Sequence, residues 1–210
     1  MKLTVLGATG GTGLQLIRQA SAAGHDVVAV VRDPSRLPPE LPGLTVVTAD
    51  VTDPDALGEA VTGRDAVISA IGPRGRGPTA VCADSAGAAV TAMRRHGVRR
   101  LIVVSNSGMH TDGRDGPVTR YVAKPILVRV FAHAYADMQR MEDLVSATDL
   151  DWTILRPPML TDGKHTGRYR TEIGRNVRGG NRISRADLAD LILRGLTDPA
   201  TVRATVSIGY

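Results

Sequence analysis

The segment Gly7-Ala8-Thr9-Gly10-Gly11-Thr12-Gly13 constrains what this chain can fold into more than any other. It lies between an apolar run, Leu3–Leu6, and a stretch with Leu14, Ile17 and Ala20 at helical spacing. A strand, a glycine turn and a helix in direct succession open a βαβ unit. Gly7 permits the tight turn, Gly10 lets a ligand approach the backbone, and Gly13 lets the helix pack close to the strand. The amides of Gly11 to Gly13, at the positive end of the helix dipole, are disposed to hold phosphate oxygens. A ligand-free glycine turn is the competing reading, and the register of strand, turn and helix argues against it.

The same alternation continues down the chain. Strands are expected at Asp26–Val31, Leu44–Thr48, Asp65–Ala70, Leu101–Val104, Trp152–Leu155 and Val202–Ile208. Helices are expected at Leu14–Ala23, from Asp53-Pro54, at Thr79–His96, over most of Pro125–Ala147, and from a Ser184 cap to Arg194. This order predicts an α/β protein: a single Rossmann-fold domain over residues 1–210, with a doubly wound parallel sheet flanked by helices. The Pro/Gly clusters at Pro34–Gly43, Gly72–Pro78 and Gly108–Pro117 read as loops after strands two, four and five. They are expected at the carboxyl edge of the sheet, where open α/β folds bind ligands.

Composition narrows the partners. The net charge of +5 raises nucleic acid as a partner, but aromatics make up 3% of the chain and the arginines are scattered. Stacking platforms for bases are therefore scarce, and a dinucleotide phosphate explains the basic excess equally well. The one cysteine, Cys82, can form no intramolecular disulfide and supplies no metal cluster, so inert packing in a reducing cytosol is expected. Met1-Lys2 runs straight into the first strand, and no apolar stretch is long enough for a membrane span, so a cytoplasmic protein is expected.

Strand two ends Val30-Val31-Arg32-Asp33. A carboxylate at this place selects NAD through the ribose 2′-hydroxyl, whereas arginine accommodates the 2′-phosphate of NADP(H). Arg32 therefore points to NADPH, with Arg36 as a second charge or as a solvated loop residue. Asp33 competes with this reading if it turns inward to the ribose. Asp50-Val51 is placed to border an adenine, or else forms a plain turn into the next helix. Ala70-Ile71-Gly72 would line the ribose and nicotinamide by close backbone approach.

Taken together, GATGGTG, VVRDPSRLP, ADVTD, DAVISAIG, HGVRRLIVVSNSG, SATDLDWTILRPPMLTDG, TGRYR and ISRADLADLIL resemble an atypical short-chain dehydrogenase/reductase. The resemblance is narrower to the NAD(P)H-dependent flavin reductase and biliverdin-IXβ reductase group with its NmrA-like relatives. It implies coenzyme contacts at Gly7, Thr9, Gly10, Gly11, Thr12, Gly13, Arg32, Arg36, Asp50, Val51, Ala70 and Ser105. It also implies that Pro157-Pro158-Met159 frames the nicotinamide or the substrate. Bilin-reducing relatives have a histidine where this chain has Met159, which argues against a bilin substrate. Methionine makes a soft apolar wall for a planar ring but donates no proton.

Ser105 holds the place of the active-site serine of short-chain reductases. Those enzymes add a tyrosine and a lysine four residues later, the lysine helping the phenol to release its proton. Here Tyr121-Val122-Ala123-Lys124 falls one residue short, and Pro125 disfavours helix at Lys124, so a lid or interface segment competes with a catalytic Tyr121. Reduction of a flavin needs no such acid, since reduced flavin is itself a stable anion. The expectation is an NADPH-dependent reductase of a planar small molecule, FMN or another flavin or a quinone-like acceptor. The alternatives are a non-catalytic NmrA-like regulator and a ketoreductase of an aromatic or polyketide-type substrate using Tyr121. His110 and His133 read as loop and surface residues, and Asp137 and Glu142 as solvated helix positions. Arg156 could bind a substrate anion or cap a loop, and Lys164, His165, Arg168 and Arg170 could meet a flavin phosphate or face solvent. A monomer or small homo-oligomer is expected, with apolar Pro125–Ala134 covering a neighbour or the substrate.

Overall fold

The computed structural model describes every residue except Pro38, Pro39, Glu40, Arg74, Arg76 and Arg114. Those positions belong to the three expected Pro/Gly loops, which to that extent lie outside the described residues. The strands are β1 (Lys2–Leu6), β2 (Asp26–Val31), β3 (Leu44–Thr48), β4 (Ala66–Ser69), β5 (Arg100–Val104), β6 (Asp151–Arg156), β7 (Met159–Thr161), β8 (Arg170–Ile173), β9 (Arg182–Ser184) and β10 (Ala204–Gly209). The helices are α1 (Gly11–Ala22), α2 (Gly58–Val61), α3 (Val81–His96), α4 (Lys124–Val130), α5 (Ala132–Ser146) and α6 (Arg185–Gly195).

Eight strands form one sheet in the order β3-β2-β1-β4-β5-β6-β10-β8, parallel except for the antiparallel edge strand β8. A parallel sheet is covered on both faces, so its strands are apolar throughout rather than alternating. In β2, Val27, Ala29 and Val31 pack toward α1 and α6, while Val28 and Val30 face the core shared with α2, α3 and α5. Chain order reverses between β1 and β4, which opens a crevice beyond their carboxyl ends. The glycine turn follows β1 directly. No helix among the described residues is long and apolar enough to cross a membrane.

Three expectations are corrected. β7, β8 and β9 were unforeseen: β7 and β9 have three residues each and pair only with one another, and β8 reads Arg-Thr-Glu-Ile, polar like a loop. The helix expected from Asp53 starts at Gly58, because the Asp53 carboxylate accepts the Asp55 amide (2.9 Å) and caps a separate turn. Lys124 is helical (φ −63°, ψ −44°) despite Pro125. A wider π-helical turn over Thr119–Ala123 precedes the proline, and such turns accommodate the missing hydrogen bond.

Candidate functional site

The residues expected to bind coenzyme all lie at the carboxyl edge of the sheet, on the segments that follow β1, β2, β3, β4, β5 and β6. Gly7 has φ +79°, a left-handed conformation that favours glycine. A Cβ there would stand 2.8 Å from the carbonyl of Ala70, so the turns after β1 and β4 pack backbone against backbone. A Cβ on Gly13 would stand 2.2 Å from the Gly7 oxygen, which no adjustment of a side chain could relieve. The cap of α1 is Gly10, which offers no side-chain acceptor. The first amides of α1 are thus left without intrahelical partners, as at any helix start, and without a side-chain cap. The contrast is α6, where Ser184 Oγ accepts the Asp187 amide at 2.9 Å.

Arg32 and Arg36 are exposed beyond β2. Asp33 serves its own turn: its Oδ1 accepts both the Ser35 amide (3.0 Å) and hydroxyl (2.7 Å), capping the short turn Pro34–Arg36. Those bonds also hold its pKa below the ordinary value. Asp50 behaves similarly, with Oδ1 accepting the amide (2.9 Å) and hydroxyl (2.8 Å) of Thr52, so its turn-forming role is real. Val51 beside it is buried. Ala70 and Ile71 are half-buried and Gly72 is exposed, lining the crevice above β4.

Ser105 closes β5. Its amide donates to the Leu155 oxygen (2.7 Å), while its buried Oγ has no hydrogen-bond partner. A buried hydroxyl left unpaired is unfavourable by about 1–3 kcal/mol, so a polar atom of a ligand is a natural complement. Close by lies a group that sequence reading placed in solvent. Glu142 is 3% exposed and accepts Arg156 Nε (3.1 Å) and His110 Nε2 (3.2 Å). Burial pushes its carboxyl up, but the bonds from His110 and Arg156 outweigh this and bring its pKa to about 2. The nearby Ser105 hydroxyl adds a smaller share to that lowering without meeting hydrogen-bond geometry. Asp137, fully buried, accepts the amides of Cys82 (3.0 Å) and Ala83 (3.1 Å) and so caps α3 from α5. The available signal was periodicity: Ala134, Asp137, Met141, Glu142 and Val145 form the buried stripe of α5. Burial, followed by the charge of Asp137, pushes the Cys82 thiol to about 12, in keeping with inert packing.

A cleft of about 1390 Å³ opens at the segment that follows Ser105, with Asn106, Phe131 and Tyr135 in its wall; of the residues expected to bind coenzyme, Pro158 and Met159 line it. Pro157 and Pro158 are buried, and Met159 is 65% exposed toward this space. The structure does not bring Tyr121 into the cleft. Its side chain is 72% exposed, with Arg120 against its ring. Lys124 is instead buried, bonded to both carboxylate oxygens of Asp115 (2.8 and 2.7 Å) and to the His110 carbonyl. The phenol that does line the cleft is Tyr135, which sequence reading passed over. A Cβ on Gly108 would lie 2.7 Å from its hydroxyl, so Tyr135 reaches the loop just beyond Ser105. Of the basic stretch, Arg170 is occupied by the main-chain oxygens of Arg178 (2.9 Å) and Tyr210 (2.6 Å).

A backbone cradle without room for Cβ atoms, an uncapped helix start and an orphaned buried hydroxyl all suit a dinucleotide. Comparison with known proteins points the same way. YwnB of Bacillus subtilis is 27% identical over 206 residues, covering 95% of this chain and 93% of its own. A Veillonella parvula short-chain dehydrogenase/reductase, solved in complex with NADP, superposes with a TM-score of 0.80 at 20% identity, over 100% of this chain and 94% of that one. ChuY, an anaerobilin reductase of Escherichia coli O157:H7, gives 0.78 at 22% identity, over 99% and 96%. At those identities the two structures establish the fold. The profile of the NAD(P)H-binding family matches residues 7–199, nearly the whole length, and the chain belongs to that family.

Proposed function

We propose that this protein is an NADPH-dependent reductase that delivers hydride to a flavin or another planar, quinone-like acceptor. The observation that carries the proposal is the cleft: a space of about 1390 Å³ with Phe131, Tyr135, Pro158 and Met159 in its wall, beside the end of β5. Gly7, Thr9, Gly10, Gly11, Thr12 and Gly13 would hold the pyrophosphate. Arg32 and Arg36 would hold the 2′-phosphate, and Asp50 and Val51 would border the adenine. Ala70, Ile71, Gly72, Ser105 and Pro157–Met159 would frame the nicotinamide. The bound coenzyme supplies the hydride. The chain's own part is to orient, to stack and to exclude water. Ser105 Oγ can donate to a carboxamide or substrate oxygen, and Met159 can lie against a ring. Lys124 brings no free charge to the cleft, because Asp115 neutralises it. Such a site suits a flat acceptor that does not need a strong acid.

The direct test is oxidation of NADPH by the purified protein with FMN, and then a small quinone, as acceptor, with NADH in parallel. Rapid NADPH-selective turnover supports the proposal. Coenzyme binding without turnover on any planar acceptor would sink it and leave the regulator reading in its place.

A second reading is favoured by Tyr135. Its hydroxyl lies beside the loop that follows Ser105 and can donate to a carbonyl oxygen in the cleft, although burial raises the phenol's pKa and makes it a weaker acid than a lysine-assisted one. A ketone substrate would then be reduced with Tyr135 in the role that sequence reading gave Tyr121. Under this reading Tyr135→Phe lowers kcat about 100-fold or more with coenzyme affinity unchanged, while Tyr121→Phe is silent. Under the flavin reading, both variants turn over FMN at rates near the wild type.

A further inference from the structure

We infer that Arg185 is a pyrophosphate-binding residue, lying over Gly11 at the uncapped start of α1 and held there by Asp162 until a diphosphate replaces the carboxylate. The inference rests on the coenzyme reading above and adds a residue that neither the glycine motif nor the family match assigns.

Arg185 is the first residue of α6 and follows the Ser184 cap. Its backbone is fixed twice over: the cap bond holds the start of α6, and Gln19 Nε2 of α1 donates to the Ala186 carbonyl at 2.9 Å. From this anchored position its side chain crosses to the glycine turn. A Cβ on Gly11 would lie 2.7 Å from Arg185 Cδ and 2.8 Å from Nε. The absence of a side chain at Gly11 is therefore what makes room for the arginine.

A guanidinium at a helix N-terminus is electrostatically misplaced by itself, since that end carries about half a positive charge. Two positive features meeting at one point imply an anion between them. Asp162 Oδ1 meets Arg185 Nη1 at 2.6 Å, but the Asp162 side chain is 90% exposed. An ion pair this open to water is worth about 0–1 kcal/mol and is readily exchanged. The diphosphate bridge carries two negative charges against one on the carboxylate, and its oxygen pairs can meet the guanidinium bidentately, where Asp162 meets it Oδ1 to Nη1. The position also separates Arg185 from Arg32. Arg32, beyond β2, would discriminate between the coenzymes, whereas Arg185, over the start of α1, would meet the part that NADPH and NADH share.

The test is calorimetric titration of wild type, Arg185→Ala, Arg185→Lys and Asp162→Asn with NADPH, NADH and adenosine 2′-monophosphate, which lacks the pyrophosphate. Arg185→Ala is expected to weaken NADPH and NADH by the same factor, about tenfold, and to flatten the salt dependence of both. Adenosine 2′-monophosphate binds it as it does wild type. Arg185→Lys recovers part of the loss, and Asp162→Asn tightens both coenzymes. Wild-type coenzyme affinity in Arg185→Ala overturns the inference and leaves Arg185 as packing on Gly11. Equal weakening of all three ligands also overturns it, because the site as a whole has then collapsed. If wild type binds none of the three, the coenzyme reading itself has failed, and the inference with it.

Discussion

At the scale of single residues, what could be read from sequence was whatever is decided locally. Gly7, Gly10 and Gly13 answer to backbone conformation and close approach within a few positions, so their spacing suffices. Arg32 belongs to the same class, since it follows the last residue of β2 directly. With Asp33 Oδ1 committed to Ser35, the end of β2 presents the exposed Arg32 beside a carboxylate that caps its own turn. Hydrogen bonds to charged groups are worth about 1.5–3 kcal/mol, which sets the size of the effect. Arg32→Ala should raise the KM for NADPH about 10- to 100-fold while leaving that for NADH nearly unchanged. Equal effects on the two coenzymes would remove Arg32 from the 2′-phosphate site. Glu142 was illegible for the opposite reason: its partners His110 and Arg156 lie 32 and 14 positions away, and nothing near Glu142 announces them.

At the scale of elements, α5 carries more than packing. It supplies Asp137 to cap α3, Glu142 to hold His110 and Arg156, and Tyr135 to the cleft. Residues 125–147 read as mostly helical, but the break at Phe131 (φ −110°, ψ 25°) has no glycine or proline beside it to announce it. Glu142 makes a prediction that belongs to this scale. Its pKa, about 2 against an ordinary 4.5, is depressed on folding, so its charge stabilises the fold above the ordinary value. That contribution is lost as pH falls from about 4.5 toward about 2. Leaving a buried partner unpaired typically destabilises by about 3–5 kcal/mol, so Glu142→Gln should unfold at clearly lower urea than wild type near neutral pH. The gap should shrink at about pH 3. A gap independent of pH would mean that the carboxylate charge contributes nothing to the fold.

At the scale of the molecule, the alternation of strand and helix gave the parallel core and its carboxyl edge, because each parallel strand is a continuous apolar run that stands out from its loops. The edge strand β8, which is polar, and the β7–β9 pair, of three residues each, did not stand out, and sheet pairing alone defines them. These late elements carry what the core lacks. β7 begins with Met159, and β9 leads into Arg185, so residues far along the chain close over a turn set at its beginning. One ligand bridging early and late segments would tie these parts together. A crystal structure of the protein with NADP⁺ tests this most directly. The pyrophosphate is expected at the amides of Gly11 to Gly13, the 2′-phosphate at Arg32, and the nicotinamide between Ser105 and Met159, facing the cleft. A coenzyme bound away from the glycine turn, or with its nicotinamide directed away from the cleft, would contradict this placement.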